Sequence, residues 1–365
     1  MKKQVKWLLT ILLIAVIVGI LAYLEADRKA NRYTLSIIER SMIYALVAVS
    51  MNLLTGFTGL FSLGQAGFMA IGAYVTGLLT IPLASREHVF YTTTQNPFMQ
   101  KAILPFWLAL ILGGLAAALF AALIGYPVLR LKSDYLAIAT LGFSEIIRAV
   151  IASPMMDPIT NGSYGLKKIP RFNHIYWPFA ISAFCIFLMV LLINSSYGRA
   201  FKAIREDETA AEAMGINLAR HKELAFVVSS FFTGIAGGLL AFYMGSIDSG
   251  TFKISMTYDI LLIVVLGGMG SVTGSILGAF LVTAGRELLR FFDEPLKIGG
   301  WQVPLFRSGF RMVIFSILLM VIVLFWSKGI MGSREFNWDG IANFFAKLSG
   351  KKKPAVSGEG GTSHE

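Results

Sequence analysis

The charged residues of this chain are few, and the densest group lies between two long apolar runs. Tyr197 to Glu223 reads YGRAFKAIREDETAAEAMGINLARHKE. Asp207 is placed to cap a helix, because a short carboxylate accepts from the first free backbone N–H groups. Glu208 and Glu212 are four apart and share one face of that helix. Ala210, Ala211, Ala213 and Met214 make the rest of it small and apolar. Gly215 then stops it, since glycine takes the left-handed C′ conformation without a Cβ penalty. Asn217 is placed to cap the helix that follows. The expected product is a peg of roughly 8 residues, about 12 Å long at 1.5 Å per residue. A helix that short does not persist alone, so it needs a surface to dock against.

Other residues with chemical potential are scattered. Glu145 and Arg148 are three apart on one helix face, inside an apolar run. A charge at membrane depth is costly, so the two are expected to pair or to face an interior cavity. Asp259 and Glu287 are further ionisable residues that ion coupling in a secondary transporter or channel would need. Cys185 is the single cysteine and sits in an apolar run, which suits a small packed side chain. GGMGS, residues 267 to 271, resembles a phosphate loop only superficially. It is not followed by the lysine of GxxxxGK[ST]. No nucleophile–base pair or cluster of metal-ligating residues is visible. The chain is therefore expected to do no covalent chemistry and to hold no metal or cofactor.

The elements around these residues are those of a membrane protein. Of 365 residues, 56% are hydrophobic and only 15% charged, with a mean hydropathy of +0.68. A soluble domain carries about 25% charged residues. The apolar residues fall in long runs, which a single water-soluble core does not need. The formal charge is +11. The Lys and Arg residues mostly flank apolar runs, the pattern of membrane loops rather than of a nucleic-acid surface.

In order, Trp7 to Leu24 follows Lys2, Lys3 and Lys6 and reads as an uncleaved first helix. Leu35 to Thr55 is the second run. Residues 56 to 79 are rich in glycine, with Gly56 and Gly59 placed to break a helix and Gly64, Gln65, Gly67 and Gly72 beyond them. Small residues let helix backbones approach closely in lipid. Broken backbone persists there only where protein covers it or it lines a cavity. Residues 82 to 103 form an outer loop, and Leu104 to Leu129 and residues 129 to 151 the next helices. Residues 154 to 177 form a second outer loop, with Asn161-Gly162 as a turn signal. Pro178 to Asn194 leads into the charged segment and Leu224 to Gly245 leads out. Tyr258 to Leu266 is too short to cross ~30 Å of hydrocarbon. It meets Gly267, Gly268, Gly270 and Ser271 and then a second run, a broken or re-entrant pair. A glycine-rich break in each half suggests a distant internal duplication. Phe310 to Trp326 is the last span. The fold class expected is an all-α integral membrane protein with about ten transmembrane segments. Residues 1–335 form the membrane domain and 336–365 a tail. Within the tail, residues 338–348 read as a short amphipathic helix on the membrane surface, followed by a Gly/Ser/Glu-rich end.

Four segments carry a family resemblance. They are GLFSLGQAGFMAIGAY at 59–74, LRLKSDYLAIATLGFSEIIRAVI at 129–151, ITNGSYGL at 159–166 and AIREDETAAEAMGIN at 203–217. The last resembles the cytoplasmic coupling loop of ABC-importer permeases. Together they resemble the M-type permease of branched-chain amino acid importers over nearly all of residues 35–335. That resemblance implies a permease moving Leu, Ile or Val, or urea or short amides if the chain belongs to a near relative in the superfamily. It implies a paralogous permease partner, two ATP-binding subunits and an extracytoplasmic binding protein, in the plasma membrane of a prokaryote. It places Asp207, Glu208, Ala211, Glu212, Met214 and Gly215 at the ATPase contact, which makes that loop and both termini cytoplasmic.

Overall fold

The computed structural model describes residues 3–90, 103–131, 133–289, 297–298, 301–302, 310–325, 329–332 and 334–335. The 338–348 helix expected in the tail lies outside them. The elements are α1 (Lys3–Ala26), α2 (Arg32–Asn52), α3 (Gln65–Thr80), α4 (Leu83–Val89), α5 (Phe106–Val128), α6 (Ser133–Ala152) and α7 (Asp157–Thr160). After these come α8 (Tyr176–Asn194), α9 (Ser196–Glu206), α10 (Glu208–Ala213) and α11 (Leu218–Met244). The last helices are α12 (Ile254–Gly267), α13 (Val272–Leu288) and α14 (Phe310–Phe325). The strand content among the described residues is one antiparallel pairing of Lys297–Ile298 with Trp301–Gln302.

Helix α2 is the axis of the molecule. Every residue from Ser41 to Thr58 is buried, and α2 is flanked by α8, α11, α12 and α13. From Met42 to Met51 its sequence has almost no polar face, as expected of a helix surrounded by other helices. A second group is formed by α3, α5 and α11. Here glycine sets the spacing: a Cβ on Gly72 would run into the Gly234 carbonyl, and one on Gly237 into the Met69 carbonyl. Backbones this close gain dispersion contacts that lipid cannot match, which is how membrane helices associate. At one end of this group Phe106, Phe172 and Phe242 cluster, with Phe106 edge-on to both and the Phe106 and Phe242 centroids 4.7 Å apart.

By contrast α1 is almost bare. Leu21 alone among its described side chains is buried. Its C-terminal end is tied down, with Arg28 donating to the Phe172 carbonyl (3.2 Å) and Glu25 Oε1 3.0 Å from His174 Nδ1.

Among the described residues, 6 helices are long and apolar enough to cross a membrane, fewer than the sequence suggested. The difference lies in α3, α12, α13 and α14. These have 16, 14, 17 and 16 residues, roughly 21–26 Å at 1.5 Å per residue. The outer loop after residue 82 also differs from expectation, because α4 forms within it. Arg86 of α4 is buried and donates to the Leu78 carbonyl at 3.0 Å. That burial pulls its guanidinium below the ordinary range.

Candidate functional site

The charged segment folds as two short helices. In α9, Gly198, Phe201 and Ile204 are buried, while Arg199, Lys202 and Glu206 are exposed. Asp207 ends α9 and caps α10, its Oδ1 accepting from the Ala210 N–H at 3.0 Å. The far end of α10 is a Schellman motif. Gly215 has φ +85°, its N–H donates to the Glu212 carbonyl (2.9 Å), and the Ile216 N–H donates to Ala211 (3.1 Å). Asn217 then caps α11 by accepting from the Arg220 N–H at 3.0 Å. All three local signals are realised, and α10 has 6 residues rather than the roughly 8 expected. The shortfall is at the C-terminus, because the Schellman bonds take Met214 out of the helix.

Its outward face is open. Met214 is 84% exposed, while Ala211 is buried against the chain. Glu208 and Glu212 do not behave alike. Glu208 meets Lys222 Nζ at 2.6 Å, whereas Glu212 stays on the exposed face.

The peg is wired to the membrane core through Arg205. Helix α2 does not simply end at Asn52. Residues Leu53–Thr58 form a π-helical turn, Gly59 takes φ +77°, and the chain then runs extended to α3. Carbonyls loosened by the turn are satisfied by hydroxyls: Thr55 donates to Met51 (3.0 Å) and Thr58 to Leu53 (2.8 Å). Gly56 O accepts instead from Arg205 Nη1 at 2.7 Å. Irregular backbone at this depth is tolerated where its polar groups find partners inside the protein, as these do.

The second glycine break lies against the first. Helices α12 and α13 form a hairpin whose tip is Gly268, Met269, Gly270 and Ser271. Gly267 and Gly274 are so close that a Cβ on either meets the other's carbonyl. Asn52 grips this tip. Its amide donates to Ser271 O (2.9 Å) and Ser275 Oγ (2.8 Å), and its Oδ1 accepts from Gly270 N–H (2.8 Å). A Cβ on Gly270 would stand 3.1 Å from Arg205 Nη1. The two hairpin tips and the helix preceding the peg therefore share one junction. The segment after α14 closes over it. Ile330 N–H donates to Leu266 O (2.8 Å), and Glu335 caps α13 by accepting from the Val272 N–H (2.7 Å) and Thr273 N–H (3.1 Å). A carboxylate is favoured there by the positive end of the helix.

Comparison with known proteins places the chain in a family. The family model for the branched-chain amino acid transport system permease component matches residues 33–324. The chain belongs to that permease family. It is 35% identical over 309 residues to the high-affinity branched-chain amino acid transport system permease protein LivM of Escherichia coli K12, covering 75% of this chain and 68% of the relative. A probable LivM of Methanocaldococcus jannaschii is 25% identical over 336 residues, covering 85% and 96%. LivH of Escherichia coli K12 is 23% identical over 314 residues, covering 80% and 92%. No solved structure matches the chain.

The remaining singled-out residues of this permease fall into three places. Gly64, Gln65, Gly67 and Gly72 lie where α3 starts and packs. Gly64 sits at the N-cap of α3, and Gly67 lies against Ser144 of α6. Gln65 is buried, accepting from Thr233 Oγ1 (2.6 Å) and donating to Ser229 Oγ (3.3 Å) on α11. Glu145 and Arg148 pair at 2.7 Å within α6, partly exposed, away from the junction. Asn161 (φ +58°) and Gly162 form the turn at the opposite end. There the Asn161 amide donates to Val89 O (3.0 Å) and Gly165 O (2.8 Å). That makes Asn161 a clip between the 154–177 loop and α4.

Asn52 and Arg205 were not found from the sequence. Both lie in stretches that resembled the family or an apolar run, and neither stands out by local spacing. A lone Asn inside an otherwise apolar run was the available signal, since a buried amide needs several partners.

Proposed function

We propose that this chain is the membrane-spanning permease subunit of an ATP-driven importer of branched-chain amino acids. The observation that carries the reading is the exposed peg α10, joined through α9 and its Arg205 to both hairpin tips. A groove on an ATPase would take Met214 and Glu212, and motion of the peg would reach α2, α3, α12 and α13 through one junction. Alternating access then follows as a shift between two packings of those hairpins. The partners are two ATP-binding subunits, a paralogous permease and an extracytoplasmic binding protein that selects substrate.

The path of the chain supports about ten passes, made by α1, α2, α3, α5, α6, α8, α11, α12, α13 and α14. Of the short members, α12 and α13 pack as a hairpin and α3 packs against α5 and α11, which lets protein rather than lipid cover their ends. This order puts the start of α1 and the 329–335 segment at the same end as α10. That end is cytoplasmic if the peg meets an ATPase.

Uptake by the reconstituted complex tests the reading. Leucine, isoleucine and valine should be transported with ATP, and urea and short amides should not. Failure with all three amino acids would end the proposal. The chain purified alone should hydrolyse no ATP above background, and robust hydrolysis by it would place the motor in the wrong subunit.

The peg itself has its own test. Gly215 has nothing within 4 Å of an added Cβ, so Gly215→Val acts through φ strain alone. The expected cost is about 1–2 kcal/mol, the penalty of a left-handed branched residue. Glu212→Arg reverses a charge on the free face and should weaken ATPase pull-down if the groove is complementary. If both variants bind the ATPase and show substrate-stimulated hydrolysis at wild-type levels, the segment is a linker and not a coupling element.

A further inference from the structure

At the end of the molecule opposite the peg, two ion pairs join three neighbouring helices. Asp259 of α12 is held by the Arg286 guanidinium of α13, with one contact at 2.7 Å. Arg40 of α2 lies 3.6 Å from Glu287 of α13 and over the ring of Tyr44. Ionisable groups among apolar helices are costly and tend to mark a path or a site. Within each of these two pairs the charges cancel. A cavity of about 280 Å³ opens beside them, and Arg40, Asp259, Thr251, Ser255, Met244 and Met256 line it. Asp248 stands behind the lining, accepting from Thr251 Oγ1 at 2.6 Å.

We propose that this cavity is the outward-facing site for the head group of an aliphatic α-amino acid, a proposal that rests on the importer reading above. Arg40 holds the carboxylate. A guanidinium has five N–H donors, more than Glu287 and the Tyr44 ring engage, and its fork matches a carboxylate. Asp259 holds the ammonium group. Its two oxygens offer about four acceptor positions, so the Arg286 fork leaves room for another donor. The hydroxyls of Thr251 and Ser255 supply further acceptors for the ammonium group. Met244 and Met256 face the aliphatic side chain with flexible apolar surface that adapts to different branching. A zwitterion meets one cation and one anion in this lining, so each of its two charges has a partner of opposite sign. Arg286 and Glu287 are positioning residues, which hold Asp259 and Arg40 in place.

The test is equilibrium binding of radiolabelled leucine to the purified permease–ATPase complex without the binding protein, alongside uptake with it. Isoleucine should displace leucine. Leucinamide lacks the carboxylate and 4-methylpentanoate lacks the ammonium group, so each should compete about tenfold more weakly or worse, as loss of a charge-assisted contact implies. Arg40→Gln should lose leucine binding to the same degree. Because that change strands Glu287, the double variant Arg40→Gln/Glu287→Gln removes the pair together and should show the same loss. The proposal is overturned if the double variant binds leucine like wild type, if the two analogues compete as well as isoleucine, or if a transporting wild-type complex binds no leucine. A wild-type complex that transports no branched-chain amino acid would instead overturn the importer reading, and this site with it.

Discussion

Replacing Gly72 by leucine should leave no assembled permease, and replacing it by alanine should already do severe damage. A Cβ at Gly72 meets the Gly234 carbonyl, carbonyl carbon and Cα, all of them backbone. Side-chain rotation cannot relieve such an overlap, so α3 and α11 must separate. Overpacking that side chains can absorb costs about 1–3 kcal/mol. Moving two helix backbones apart exceeds that, and in lipid the lost packing is the main force joining the helices. Nearby glycines make the result specific. A Cβ at Gly238 meets Thr76 Oγ1 at 2.6 Å and Leu110 Cδ1 at 2.7 Å, side-chain atoms that can turn. At Gly142 it meets nothing within 4 Å. The yield of monodisperse complex should therefore fall in the order Gly142→Ala, Gly238→Ala, Gly72→Ala. Equal yields for the three would refute the close approach of α3 and α11.

Arg205→Gln should separate ATP hydrolysis from transport. The peg, its caps and its exposed face stay intact, so the ATPase should still bind and turn over. What is lost is the bond to Gly56 O and the guanidinium beside Gly270. Gly56 is buried, and leaving its carbonyl without a partner costs about 1–3 kcal/mol. The neighbouring contact of Arg205 with Glu206 is solvent-facing and contributes little. Uptake per ATP hydrolysed should drop about tenfold or more, by the factor that a lost bond of this worth implies. Arg205→Lys keeps a donor that can reach the carbonyl and should recover part of the uptake. If Arg205→Gln transports as many molecules per ATP as wild type, the junction does not carry the coupling.

Both effects depend on neighbours far along the chain, and this marks what could be read in advance. The caps at Asp207, Gly215 and Asn217 were legible because each acts within about four residues, through bonds that local geometry fixes. The membrane class was legible because apolar run lengths and the scarcity of charge depend on composition alone. The glycine-rich stretches announced close packing, since no other residue lets backbones approach so near.

Sequence by itself therefore determined the class of molecule, the positions of its breaks and the form of the peg. Tertiary structure decided which surfaces those breaks bring together. Asn52 reaches Gly270 across 218 positions and Arg205 reaches Gly56 across 149. No period or cap signal encodes such a pairing, because it arises only when separate helices pack. The same holds for Gly72, whose need for a bare Cα is set by Gly234 on another helix. It holds too for Glu208 and Glu212, identical in type and sharing a helix face. Lys222, four residues into α11, engages the first and leaves the second facing outward, because the turn through Gly215 brings α11 back along only one side of the peg.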